Sequence, residues 1–253
     1  MKPIKLILLV LLFWGSNGTT FSQIPLSEII RKAEQGDVKS QINLGILYSV
    51  GVGLSKDFTE AKKWFQQAAK LGHVEAQTLL GNMSYRGEGG PQDFQQAIKW
   101  YKLAAEQGYA TAQNNLGLMH QKGQGVLQNY QEAVKWFGKA TQQGHAKAQN
   151  NLGNLYYKGE GVRQNYQKAF KWYNLSAEQG YAEAQDNLGA MYGLGQGTIQ
   201  DYVAAHRWYN LSGKQGNTKA VRARNALAGL MSNSQIQEAE RLAEEFRPKK
   251  KKP

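Results

Sequence analysis

A single spacing recurs along this chain of 253 residues. Tryptophan stands every 36 residues, at Trp64, Trp100, Trp136, Trp172 and Trp208. A Leu-Gly pair and a Gly-x-Gly triplet recur at the same interval and in the same order. A fixed period of this length is typical of stacked supersecondary units, none of which can bury its apolar face alone. The spacing therefore predicts a repeat protein and favours binding over catalysis.

Each period predicts two helices. In residues 73–108, apolar side chains recur at helical spacing as far as Arg86, and Gly87 then ends the first helix. Asp93 stands where an N-cap of the second helix is expected, since its side chain can accept from free backbone amides. No strand is predicted, so the fold class is all-α. We expect a capping box in three units, through Glu60, Gln96 and Glu132.

Glycine also recurs inside the first helices, at Gly81 and its equivalents. Because glycine costs about 1 kcal/mol relative to alanine in a helix, we expect a neighbouring helix to approach there with no side chain between. The tryptophans are too regular to be specialised ligand platforms. We expect their indole rings to be buried between layers, each contributing about 4–6 kcal/mol before entropy.

These patterns divide the chain into five parts. The ends of a stack must be covered, so atypical helices are expected beside the repeats. The parts are a signal peptide at 1–22, a capping helix at 23–36, repeats at 37–216, capping helices at 217–246 and a basic disordered tail at 247–253. The repeats are 37–72, 73–108, 109–144, 145–180 and 181–216.

One set of strings carries a family resemblance. The strings are Ala76-Gln77, Leu80-Gly81, Gly87-Glu88-Gly89, Asp93-Phe94, Ala97, Trp100-Tyr101 and Ala104-Ala105-Glu106-Gln107-Gly108. With its four counterparts, this unit resembles the Sel-one-like repeat, a relative of the tetratricopeptide repeat. The resemblance implies a right-handed superhelical α-solenoid of stacked antiparallel helix hairpins. It also implies an adaptor of the kind that bacteria often export, in some cases to engage host proteins.

The absence of cysteine separates this chain from one branch of that family. The branch from Helicobacter-type bacteria staples its hairpins with cysteines and has been associated with penicillin binding. This chain contains no cysteine, which also excludes disulfides, thiolate nucleophiles and cysteine-ligated metals. The penicillin association is therefore not carried over.

The first residues are typical of a secretory signal peptide. Lys2 and Lys5 precede an apolar run from Ile7 to Phe13, and small polar residues follow. The run is too short to span a bilayer, which needs about 20 helical residues. Cleavage is expected before Gln23, with a cut after Gly18 as the alternative. We therefore expect an exported protein, periplasmic or secreted.

The formal net charge is +12, and four lysines near the C-terminus contribute to it. A short basic run of this kind is usually a solvated tail. The alternative is an electrostatic tether to an anionic surface, worth about 1 kcal/mol per lysine near a membrane. The run is Lys249, Lys250, Lys251 and Lys252.

No catalytic, metal or cofactor motif stands out. The Gly-x-Gly triplets lack the flanking strand and the lysine of a phosphate-binding loop. No two histidines have metal-ligand spacing, and neither S-x-x-K nor G-x-S-x-G occurs. We therefore predict no catalytic residue, no metal and no cofactor, and we expect no nucleic-acid partner.

Polar residues of the first helices form the candidate binding groove. If these helices line the concave face, as in tetratricopeptide relatives, the amides could pair with a peptide backbone and the cations with an acidic segment. The alternative is that the recurrent asparagines serve helix packing. The candidates are Asn82, Arg86, Asn114, Asn115, Lys122, Asn150, Asn151, Asn154, Lys158 and Asn187.

The favoured function is an exported, non-enzymatic scaffold that binds an unidentified protein or peptide on its concave helix surface. A cell-wall or β-lactam hydrolase, by family association, is one alternative. Surface tethering through the basic tail is another. Solenoid specificity lies in a surface and not in a motif, so the partner is not identified from these residues.

Overall fold

The computed structural model describes residues 24–249, which form thirteen α-helices and no strand. The all-α class predicted from the sequence is confirmed. The predicted signal peptide lies outside the described residues. The helices are α1 Leu26–Glu34, α2 Val38–Val50, α3 Phe58–Lys70, α4 Val74–Arg86, α5 Phe94–Glu106, α6 Ala110–Lys122, α7 Tyr130–Gln142, α8 Ala146–Lys158, α9 Tyr166–Glu178, α10 Ala182–Leu194, α11 Tyr202–Lys214, α12 Thr218–Ala228 and α13 Asn233–Glu244.

The chain divides into two compact units. The N-terminal unit is Met1–Ala104 and holds α1 to α4 with most of α5, and the C-terminal unit is Ala105–Pro253 and holds α6 to α13. Within each unit, the two helices of a hairpin pack on each other, as α2 does on α3 and α6 on α7. The second helix then packs on the first helix of the next hairpin, as α7 does on α8. This is a repeat solenoid fold, while the right-handed superhelix stays a prediction.

The first helices end at the predicted glycines and the second helices begin at the predicted N-caps, but two of the predicted capping boxes are exceptions. Gly87 ends α4 in the left-handed conformation, with φ of 72°, and Asn129 caps α7 by accepting from Glu132 N at 3.0 Å. The capping box predicted through Glu132 is wrong, because that carboxylate pairs with Lys135 Nζ at 2.6 Å on the same helix. Glu60 likewise makes no capping box, because its carboxylate pairs with Lys63, three residues later.

An aromatic ring lies against each glycine inside a first helix. A Cβ on Gly117 would lie 2.7 Å from the ring of Phe137, which is fully buried. The expectation that a helix approaches with no side chain between is therefore wrong, because a ring of the neighbouring helix fills the space left by the glycine. The five pairs are Gly45 with Phe65, Gly81 with Tyr101, Gly117 with Phe137, Gly153 with Tyr173 and Gly189 with Tyr209.

The recurrent tryptophans are less buried than the sequence suggested. Trp208 is 5% exposed, whereas Trp64, Trp100, Trp136 and Trp172 are only partly buried. The prediction that all five indoles are hidden between layers is therefore wrong for four of them. In the first four hairpins the buried ring is the residue that follows the tryptophan, whereas in the last hairpin Trp208 is buried and Tyr209 is partly buried.

Buried glutamines connect successive helices. Gln185 is 1% exposed, donates to Ala177 O at 3.3 Å and accepts from Gln215 Nε2 at 2.8 Å. Each bond joins helices that are neighbours in the stack, so one amide satisfies groups on both sides of it. The residues at this repeat position are Gln41, Gln77, Gln113, Gln149 and Gln185, and all are buried.

The C-terminal segment, residues 217–249, covers the last hairpin. Both α12 and α13 pack on α11, and the Phe246 ring lies 5.5 Å from the Trp208 ring in an edge-to-face arrangement. Lys249 N donates to Glu178 O at 2.8 Å. The prediction of a disordered tail from 247 is therefore wrong as far as Lys249, because backbone and side-chain contacts hold that stretch against α9. The remaining lysines of the run lie outside the described residues.

Candidate partner-binding surface

In the C-terminal unit, one polar stripe of the first helices is accessible. Asparagines occupy the same repeat position on α6, α8 and α10, and lysines end α6 and α8. The asparagines are partly exposed and the lysines are exposed. We call this the amide surface, and it consists of Asn115, Asn151, Asn154, Asn187, Lys122 and Lys158.

Hydrogen bonds between asparagines connect the first helices side by side. Asn151 Nδ2 donates to Asn114 Oδ1 at 2.9 Å and joins α8 to α6. Asn187 Nδ2 donates to Asn150 Oδ1 at the same distance and joins α10 to α8. The recurrent asparagines therefore form a ladder that fixes the spacing of these helices.

Two of the ladder residues lie out of reach of a partner. Asn114 is 3% exposed and Asn150 is 1% exposed, and both carboxamide oxygens accept from the next first helix. Their assignment to an accessible groove is therefore corrected. Their amides are buried because helix packing uses them, which was the alternative left open by the sequence.

Three of the accessible asparagines, Asn151, Asn154 and Asn187, keep unused hydrogen-bonding groups. Asn154 Oδ1 accepts from Tyr173 OH at 2.7 Å and from Asn187 Nδ2 at 3.4 Å. Among residues 24–249, no group accepts from Asn154 Nδ2, and no group donates to Asn151 Oδ1 or Asn187 Oδ1. One donor and two acceptors on neighbouring helices match the alternating groups of an extended peptide backbone.

Positive charge lies at one end of the amide surface. Lys122 makes no ion pair within the described chain, and Lys158 Nζ is 3.8 Å from Glu160 in an exposed pair of small energetic value. Asp186 lies nearer the other end of the first helices, where burial raises the pKa of its carboxyl above the usual range. The surface therefore offers cations to a partner beside neutral amides.

Two predicted groove residues belong to the N-terminal unit. Asn82 Oδ1 accepts from Tyr101 OH at 2.8 Å, and Arg86 NH1 lies 3.6 Å from Glu88 Oε1. Leu79 stands where the other first helices carry asparagine. This unit therefore lacks the row of amides that defines the surface on the C-terminal unit.

A pairing between the two helices of a hairpin was missed by the sequence analysis. Where the core ring is Tyr101 or Tyr173, the residue 19 positions earlier is Asn82 or Asn154, and the two side chains are bonded. Where the ring is phenylalanine, the earlier residue is apolar, as Leu118 is for Phe137. The last hairpin is an exception, because Ala190 stands 19 positions before Tyr209, but comparing the first four repeats would have revealed the covariation.

Histidines and carboxylates assemble no chemical centre in the described chain. Burial lowers the pKa of His120 and of His206, and Nδ1 of each ring is buried without a hydrogen-bond partner among residues 24–249. No group of three or more His, Cys, Asp or Glu side chains there could hold a metal ion. Within the same range, no helix has the length and apolar character needed to cross a membrane.

Comparison with known families identifies the repeat. The model described as Sel1 repeat matches residues 38–73, 74–109, 110–145, 146–181 and 182–217. The chain belongs to the Sel1 repeat family. The Sel1 repeat bounds lie one residue after the units expected from the sequence. Proteins of this family generally mediate protein–protein interactions, and their scaffolds are typically non-catalytic.

Solved structures give the same result. A Sel1 repeat protein from Oxalobacter formigenes is 30% identical, with a TM-score of 0.75 over 90% of this chain and 92% of that one. The antigen c5321 of uropathogenic Escherichia coli is 30% identical, with a TM-score of 0.56 over 87% of this chain and 55% of that one. A Sel1 repeat protein from Klebsiella pneumoniae, 23% identical, shares the fold with a TM-score of 0.53 over 81% and 99%. No curated protein sequence matches significantly.

Proposed function

We propose that this Sel1 repeat protein is an exported, non-enzymatic scaffold that holds an extended segment of a protein partner on the amide surface. The supporting observation is the set of unused groups on neighbouring first helices, Asn154 Nδ2 with Asn151 Oδ1 and Asn187 Oδ1. A peptide backbone presents N–H and C=O groups in alternation and can satisfy all three.

The partner segment carries negative charge near the lysine end of the surface. Lys122 and Lys158 are exposed and weakly engaged, so a carboxylate can reach them without breaking an internal pair. Charges at the rim of an interface mainly control the association rate and its salt dependence. Capture of the partner should therefore weaken as the salt concentration rises.

Charge reversal tests this proposal without disturbing the core. The variant Lys122→Glu/Lys158→Glu alters only the surface, and Lys171→Glu/Lys214→Glu makes the same change in net charge on exposed positions of the second helices. Affinity capture from the native compartment, read by mass spectrometry, should recover the same partner with wild type and the control but not with the test variant. Equal recovery by all three proteins would contradict the proposal.

Export is proposed from the first residues of the chain. Lys2, Lys5 and the apolar run that follows support a cleaved signal peptide. The N-terminus of the protein purified from its own cell should begin at Gln23 or directly after Gly18. A protein that retains Met1 would contradict this proposal.

A further inference from the structure

A cavity lies away from the amide surface, between α9, α10, α11 and the C-terminal segment. Its volume is about 420 Å³. Its walls combine aromatic rings and cations, and none of its residues belongs to the amide surface. The lining includes Tyr192, Ala204, Arg207, Trp208, Phe246 and Arg247.

The guanidinium of Arg207 lies beside two aromatic rings that contact each other. Its Cζ lies 4.8 Å from the centre of the Trp208 ring and 5.8 Å from the centre of the Phe246 ring. Its Nε is buried without a hydrogen-bond partner, and the side chain makes no ion pair within residues 24–249. The ring contacts therefore hold the guanidinium, while its two terminal nitrogens, which make no hydrogen bond within residues 24–249, are left for a ligand.

Arg207 is unpaired because no carboxylate stands three residues before it. At the equivalent position of two other hairpins, Lys63 and Lys135 pair with the glutamates three residues before them, at 2.5 and 2.6 Å. The last hairpin carries Ala204 at the glutamate position. The cation is kept there and its internal carboxylate is absent.

The carboxylates that line the cavity are already engaged. Glu178 Oε2 pairs with Lys249 Nζ at 2.6 Å, and Glu245 Oε1 pairs with Arg241 NH1 at 2.7 Å. Neither is within ion-pair distance of Arg207. The charge that remains available in the cavity is therefore positive.

We propose that this cavity binds the C-terminal residue of a peptide chain, with the terminal carboxylate on Arg207 and an apolar last side chain against Trp208 and Phe246. Guanidinium pairs carboxylate strongly, because its planar donors match the two oxygens. A terminal residue carries the carboxylate and the apolar group on one Cα. It therefore suits a site where the cation is in contact with aromatic rings.

The test compares an acid with its neutral amide. N-acetyl-leucine and N-acetyl-leucinamide are titrated into the isotopically labelled protein, and the indole N–H signals are followed by NMR. The Trp208 signal is assigned from its loss in Trp208→Phe. We expect a saturable shift of that signal with the acid and not with the amide. Equal shifts with both compounds, or no shift with either, would overturn the proposal.

Two variants of one residue separate charge from volume. Ala204→Glu restores the internal partner that Lys135 has and should weaken binding of N-acetyl-leucine by about tenfold or more, whereas the isosteric Ala204→Gln should weaken it much less. Arg207→Gln should abolish binding, while Arg222→Gln, on the exposed side of α12, should not change it. Equal binding by Ala204→Glu and Ala204→Gln, with the remaining indole signals unmoved, would contradict the role of Arg207.

Discussion

Tyr173 OH donates to Asn154 Oδ1 at 2.7 Å and joins the core of one hairpin to its accessible face. The same ring lies on Gly153, where a Cβ would be 2.8 Å away. The hydroxyl holds the carboxamide so that its Nδ2 stays available to a partner. Burial also raises the pKa of the Tyr173 hydroxyl, so the group remains a donor across the physiological pH range.

Removing the Tyr173 hydroxyl should free the Asn154 side chain to move and should lower the stability of the fold only slightly. Tyr173→Phe deletes the donor to Asn154 and should lower the free energy of unfolding by about 1 kcal/mol, as expected for one hydrogen bond. Urea denaturation measures the change. A loss as large as that for removing the whole ring would contradict this assignment.

Adding a hydroxyl to the core should lower stability when made alone, but much less when an acceptor is introduced with it. Phe137→Tyr places a buried hydroxyl beside Leu118 and should cost about 1–3 kcal/mol, because it has no acceptor. Adding Leu118→Asn supplies the acceptor that Asn154 provides for Tyr173. Denaturation of the two single variants and the double variant gives the coupling energy, and strict additivity would contradict the pairing.

Two glycines of neighbouring helices should respond to alanine with opposite signs. Gly117→Ala sets a methyl group 2.7 Å from the buried Phe137 ring and should destabilise by about 1–3 kcal/mol. Gly138→Ala has open space around its Cβ and should stabilise by up to about 1 kcal/mol through helix propensity. Thermal denaturation followed by circular dichroism measures both, and a shift of the same sign would contradict the ring-on-glycine contact.

Stability should fall as the pH falls from 7 to 5, because of the buried His206 and the partly buried His120. Burial lowers the pKa of His206 and of His120 in the folded state, so the unfolded chain binds more protons below the ordinary value of about 6.5. Stability therefore rises with pH through this window. Replacing His206 by glutamine should flatten the pH dependence of the unfolding free energy, while replacing exposed residues should not.

The buried glutamines give a further stability prediction. Gln185→Ala leaves Ala177 O and the Gln215 amide without their partner and should cost about 1–3 kcal/mol. Gln215→Ala removes an exposed side chain and should cost less. Urea denaturation compares the two, and equal losses would contradict a packing role for the buried amide.

The period of 36 residues was sufficient to predict the helices, their caps and the turns between them. Periodicity shows which positions are equivalent, but it does not show which of two adjacent aromatic residues enters the core. Trp136 was expected there, yet Phe137 fills the space because Gly117 faces it across the hairpin. The direction of a side chain depends on the neighbouring helix, which the period alone does not describe.

The candidate site was predicted in part for the same reason. Asn150 and Asn151 are adjacent and chemically identical, but one is buried under the next first helix and the other is accessible. The cavity at Arg207 was not predicted, because its walls come from the C-terminal segment, where the repeat pattern ends. The loss of glutamate at Ala204 did not single out that hairpin, because Gln96 and Lys168 fill the same position in two others.

Site-specific photocrosslinking tests directly whether the amide surface binds the partner. The photoreactive residue p-benzoylphenylalanine is placed in living cells at Lys158, on the amide surface, or at Lys171, an exposed position on the second helix α9. We expect a partner adduct at Lys158 and none at Lys171. Adducts of equal yield at both positions, or at Lys171 alone, would contradict this expectation.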